Sequence, residues 1–204
     1  MANGQVFITG AVEGDVDEAV LRRILRHVGL ELGAVHGREG KQKLLQRLGG
    51  YNNAARFAPW VVLVDLNGDC PCAPPCVQNW LPAPSEHMCL RVAVRAVEAW
   101  LLADRERIAG TLGISLRRVP DDPDNLAQPK AELVNLARHS NSRSIREQIV
   151  PRTGSGRSVG SLYTSRLIEF IEDEDGGWRP DRAAFGSDSL RRCIDRLRSL
   201  APQV

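Results

Sequence analysis

Glu13, placed before Gly14, and the run Asp65-Leu66-Asn67-Gly68-Asp69 are the residues of this 204-residue chain best suited to phosphate chemistry. Hard divalent cations take oxygen ligands, and phosphoryl-transfer sites hold Mg²⁺ through one or two carboxylates together with substrate oxygens. Glu13, Asp65, Asn67 and Asp69 are therefore the candidate metal ligands, with Glu13 and Asp65 also candidate catalytic groups. A second constellation is Arg91, Arg95, Glu98 and Asp104. Arg95 and Glu98 lie three apart, so on a helix they can pair and brace the sheet; alternatively Glu98 joins the site and Arg91 faces a phosphate. A third is basic: Arg138, Arg143, Arg146, Arg152, Arg157 and Arg166, interrupted by Gly154 and Gly156. Arg157-Ser158-Val159-Gly160 before a helix reads either as an anion site or as a solvated loop. Gly37-x-x-Gly40-Lys41 also opens a helix, without Walker spacing. The fourth is Cys70, Cys72 and Cys76 with His87 or Cys89, which reads either as a structural zinc site or as reduced thiols.

The elements that must position these residues alternate. Gln5 to Val12 is β-forming and ends at Gly10 and Gly14. Asp15 with Glu18 matches a capping box, and Val16, Val20, Ile24 and Val28 recur at helical spacing beside Leu21 and Leu25. Leu32 to His36 is a second strand, and Lys41 to Leu48 a helix. Trp60 to Val64 is a short apolar run of the kind buried on both faces of a parallel sheet. Residues 66–86 read as an irregular, proline-rich excursion. Met88 to Val94 is a fourth strand leading into a helix over Val97 to Ala103. The second half is mainly helical: Lys130 to Arg138, Ile145 to Val150, Ser161 to Ile171, and a last helix capped by Ser187. This order predicts an α/β fold, a mostly parallel sheet with flanking helices, over residues 1–110. A mainly helical C-terminal extension over residues 111–204 packs on it. Ligands of such sheets gather at the carboxyl ends of the strands, where Glu13 and Asp65 stand.

Val12-Glu13-Gly14, Val64-Asp65 with Gly68-Asp69-Cys70, and above all Glu98-Ala99-Trp100-Leu101-Leu102-Ala103-Asp104 resemble the TOPRIM fold. More narrowly they resemble a TOPRIM-like family often encoded beside AAA or ABC-type ATPases in bacterial defence loci. Pro129-Lys130, Val159-Gly160 with Tyr163, Trp178, and Ser187 to Leu190 extend the likeness over most of the chain. The resemblance implies a Mg²⁺- or Mn²⁺-dependent nuclease acting on nucleic acid in anti-phage defence, with an ATPase partner. In it Glu13 would be the general acid or base and Asp65 a metal ligand. Lys41, Arg91, Lys130 and Arg157 are the candidate phosphate- or nucleic-acid-binding cations. The family's Asp-x-Asp reads Asp65-Leu66-Asn67 here, which removes one charge. A degenerate site that binds phosphate, nucleic acid or protein without cleavage is the alternative.

Composition narrows the classes. Net charge is +2 with a pI near 8.4, too mild to mark a nucleic-acid binder by charge alone. Lysine stands only at Lys41, Lys43 and Lys130, so arginine, the better bidentate phosphate partner, carries the remaining positive charge. No apolar run approaches the roughly 18 residues needed to span a bilayer, and no secretion signal is evident. The expected location is the cytoplasm, where five cysteines argue against a disulfide framework.

Overall fold

The computed structural model describes residues 6–200. The fold is α/β: four parallel strands in the order β2-β1-β3-β4, with helices on both faces. The strands are β1 (Phe7–Val12), β2 (Glu31–Gly37), β3 (Trp60–Asp65) and β4 (Met88–Ala93). Val61 to Val64 of β3 are fully enclosed, as a central strand covered on both sides requires.

Side chains alternate across the sheet, so each strand serves two cores. On one face Ile8, Val12, Val61 and Leu63 meet α1 (Asp15–His27) and α4 (Val97–Ala103). The same apolar cluster continues into the second half of the chain, through α6 (Pro129–Arg138), α8 (Tyr163–Glu172) and α10 (Asp188–Arg198). On the other face Ala11, Trp60, Val62 and Leu90 meet α2 (Lys41–Ala54) and, at its edge, α3 (Ala73–Trp80). The remaining helices, α5 (Arg105–Leu112), α7 (Arg143–Ile149) and α9 (Pro180–Ala183), complete the C-terminal layer. Among the described residues no helix is long and apolar enough to cross a membrane.

Three local readings need correction. Helix α2 runs past Leu48 through Gly49 and Gly50, because Leu48 and Tyr51 share its buried face and the glycines border open space. The proline-rich excursion contains α3; Pro74 falls in the first turn, where a missing N–H costs nothing. Helix α1 is capped at Gly14 without a side-chain bond, and Glu18 pairs with Arg22 at 2.9 Å and Arg38 at 3.1 Å instead of closing a capping box. Ser187 does cap α10, accepting a hydrogen bond from the Leu190 amide at 3.2 Å.

Candidate functional site

Strand order fixes where a site can form. From β1 the chain moves to β2 on one side and later to β3 on the other, so a crevice opens between the carboxyl ends of β1 and β3. Glu13 is the first residue after β1, and Asp65 is the last of β3. The Asp65 amide donates to Glu13 Oε1 at 2.7 Å, and Asp65 Oδ1 in turn accepts from the Val97 amide at 3.0 Å, closing the start of α4. The two carboxylates are thus held side by side by backbone, each keeping its second oxygen clear of protein donors among the described residues.

They line a cleft of about 790 Å³. Three more acids line it: Asp15, exposed at the rim, and Asp17 from the first turn of α1, and Glu98 from the first turn of α4. Asp17 is 7% exposed, and its Oδ1 is buried with no hydrogen-bond partner. Glu98 is 4% exposed and accepts from the Tyr163 hydroxyl at 3.0 Å. The far wall comes from the C-terminal half: Ala127 to Ala131 before and within α6, with Ser158 and Thr164. Lys130 is the only basic side chain among the described lining residues; its Nζ lies 3.9 Å from Glu98 Oε1 and 5.2 Å from the Tyr163 ring centre.

Five acids share the cleft with one lysine, and the protonation of Asp65, Asp17 and Glu13 reflects it. Burial, then repulsion from Asp17, Glu98 and Glu13, pushes the Asp65 carboxyl well above the carboxylate range. Burial, then Glu13 and Glu98, raises Asp17 to about 7. Glu13 is raised chiefly by burial, against the opposing pull of the Asp65 amide and Lys41. The Tyr163 hydroxyl is pushed far up by burial and by the charge of Glu98, so it stays a donor.

The other expected site residues lie elsewhere. Asp69 is exposed and pairs with Lys41 at 2.5 Å. Lys41, expected at a phosphate, is used beneath the loop after β3: it donates to the carbonyls of Asp65 and Leu66 and sits 5.0 Å from the Trp80 ring centre. Asn67 lines the cleft, and its φ of 51° gives a reason for its identity, since asparagine enters the left-handed region more readily than most residues that carry a Cβ. Arg95 does not pair with Glu98, because α4 begins only at Val97; it donates to the carbonyls of Asn67 (3.2 Å) and Cys70 (3.3 Å) and pins the same loop. Arg157 is in an exposed loop beside Ser158, outside the lining. Arg91 is on β4, away from the cleft.

The cysteines do not assemble as a zinc site. Cys70 and Cys76 form a disulfide with Cα atoms 5.9 Å apart, Cys72 is exposed and free, and Cys89 is buried in β4. The turn into α3 brings the first two together; Cys89 belongs to the opposite core. Asp104, grouped with Glu98 by sequence, is a buried partner of Arg179, which meets its Oδ1 at 2.6 Å and its Oδ2 at 3.0 Å.

Comparison with protein-family models, curated proteins and solved structures finds no match. The chemistry of the cleft therefore rests on its own donors. Among the described residues no three His, Cys, Asp or Glu side chains form a ready-made metal cage. Mg²⁺ does not ask for one: it keeps several waters and binds through one or two carboxylates. The orphaned Oδ1 of Asp17 and the mutual repulsion around it are what such a cation relieves.

Asp17 is the cleft acid that sequence reasoning missed. The signal was present: extending the Leu21 and Leu25 stripe back one turn reaches Asp17, a carboxylate on an inward helix face.

Proposed function

We propose that the chain is a divalent-metal-dependent nuclease of TOPRIM type, cleaving phosphodiesters in the cleft between β1 and β3. One observation carries the reading: of the five carboxylates lining a cleft at the carboxyl end of a parallel sheet, four are buried or half-buried, and one of these has an unsatisfied oxygen among the described residues. Asp65 and Asp17 would hold Mg²⁺ or Mn²⁺, with Asn67 at the rim. The bound cation would offset phosphate charge and acidify a water. Glu13, raised above its ordinary value by burial and anchored to the Asp65 amide, is suited to take up and return a proton. Glu98 is fixed by Tyr163 and contributes to the field of the pocket; Lys130, on the opposite wall, would meet a phosphate oxygen.

A second reading, a module that binds a phosphate ligand, nucleic acid or protein without cleavage, draws on two features. Asn67 replaces a charged ligand, and backbone amides occupy one oxygen each of Glu13 and Asp65. The separating experiment incubates the protein with plasmid, single-stranded DNA and RNA in Mg²⁺, Mn²⁺ or EDTA. The nuclease reading expects cleavage that EDTA stops and that Glu13→Gln, Asp65→Asn and Asp17→Asn each suppress. Cleavage that persists in all three variants overturns these roles. Metal-dependent retention of the nucleic acid without cleavage supports the second reading.

A further inference from the structure

We infer that the free edge of β4 is a docking groove for an extended segment of a partner protein, one whose side chains alternate between apolar and acidic. Among the described residues strand β4 pairs only with β3 and is the last strand of the sheet. Its register decides which backbone groups remain open. The Trp60 amide bonds to the His87 carbonyl and the Leu66 amide to that of Ala93, so odd-numbered residues of this strand face β3. The even-numbered ones, Leu90 and Val92 among them, direct their amides and carbonyls outward. The two ends of that outward row are already used: the Met88 amide bonds to the Ser85 carbonyl and the Val94 amide to Ser189 Oγ. Between them the Leu90 carbonyl accepts from Arg91 Nε, and the Leu90 amide and the Val92 amide and carbonyl stay open, a short template that accepts another strand once Arg91 swings away.

This edge is recessed. Two cavities, of about 580 and 170 Å³, lie end to end along it and share Val77 and Arg91 in their linings. Helix α3 forms one wall and α10 the other. The walls differ. On the α3 side Leu90 and Val92 pack with Val77, leaving an apolar surface. On the α10 side Arg91 and Arg196 face the groove, and neither makes an ion pair among the described residues. Arg91 Nε instead donates to the Leu90 carbonyl at 2.8 Å, and Arg196 donates to Ser199 Oγ at 3.2 Å. Two acids line the same wall: Asp188 is paired with Arg192 at 2.6 Å, and Asp124 accepts from Ser187 Oγ at 2.7 Å and the Ser189 amide at 3.3 Å, so Arg91 and Arg196 are its unpaired cations among the described residues.

An incoming strand presents successive side chains to opposite faces. Residues of one parity would enter the apolar wall, and residues of the other would meet Arg91 and Arg196. Charge complementarity then selects acidic residues at that second parity. A second copy of this chain does not fit, because β4 beside β4 would set Arg91 near its own counterpart.

The test is isothermal titration of the full chain with a capped octapeptide of alternating valine and glutamate. Its valine–lysine counterpart and a version N-methylated at every second amide serve as controls. The glutamate peptide should bind one to one, and the lysine peptide about tenfold more weakly. N-methylation on the β4-facing edge should abolish binding. The double variant Arg91→Glu, Arg196→Glu, at half-buried and exposed positions, should reverse the charge preference. Absence of binding, equal binding of both peptides, or indifference to N-methylation overturns the proposal. A dimer in sedimentation that the peptide dissociates would give the edge to a second copy and also overturns it.

Discussion

Replacing Asp17 by asparagine isolates the electrostatic cost of the cleft. The side chain is buried, and its carboxyl is raised from 3.8 to about 7 by burial, Glu13 and Glu98. A shift of that size corresponds to about 4 kcal/mol of destabilisation once the group is ionised. That is a ceiling, because Glu13 and Glu98 share the repulsion. The sign follows from the two states. Below about pH 4 both hold the proton and no penalty exists. Between about 4 and 7 the folded chain keeps a proton that the unfolded chain has lost, so wild-type stability falls as pH rises. Above about 7 both states are ionised and the penalty is complete. The carboxamide of the variant does not titrate. Urea denaturation in EDTA should therefore give nearly equal stabilities near pH 4, with the variant gaining up to about 4 kcal/mol by about pH 8. Excess Mg²⁺ should then restore the wild type, by about 2.7 kcal/mol at roughly a hundred times its dissociation constant, and help the variant much less. Equal stabilities in that alkaline buffer, together with equal Mg²⁺ increments, would refute both the repulsion and the metal role.

Other outcomes follow from single contacts. Tyr163→Phe removes the donor from buried Glu98 and should lower stability by about 1–3 kcal/mol in the same denaturation assay. Arg179→Ala removes the guanidinium from Asp104, which is 2% exposed, and leaves it only the amide of residue 179, so it should cost about 2 kcal/mol, read as a lower urea midpoint. Among the five cysteines, native protein should show one fast-reacting thiol, Cys72. Unfolding without reductant should release Cys89 and Cys193 as well, making three. Five free thiols under those conditions would remove the Cys70–Cys76 bond.

What could be read in advance was what is local. The four strands, the α4 boundaries and the Ser187 cap follow from apolar runs and from one hydroxyl placed before a helix. The pairing of Glu13 with Asp65 also followed, because parallel strands separated by helices must bring their carboxyl ends together. What could not be read depends on contacts distant in sequence. Nothing near Glu98 announces that Tyr163 will hold it, and nothing near Lys41 announces that the carbonyls of Asp65 and Leu66 will take its ammonium. Arg95 and Glu98 have helical spacing, yet the helix starts between them. Helix α3 was hidden by prolines that, counted as breakers, are in fact at its permissive first turn.

The cleft has two owners. Its acids come from the sheet and the helices that follow it, while Gln128, Lys130, Ser158 and Thr164 reach it from the later helices and loops. A fragment ending near residue 110 would keep every carboxylate and lose the opposite bank, together with the phenol that steadies Glu98 and the indole of Trp178 that bonds to the Trp100 carbonyl at 3.1 Å. What remained would be an open ledge flooded by water, where carboxylates recover their ordinary acidity.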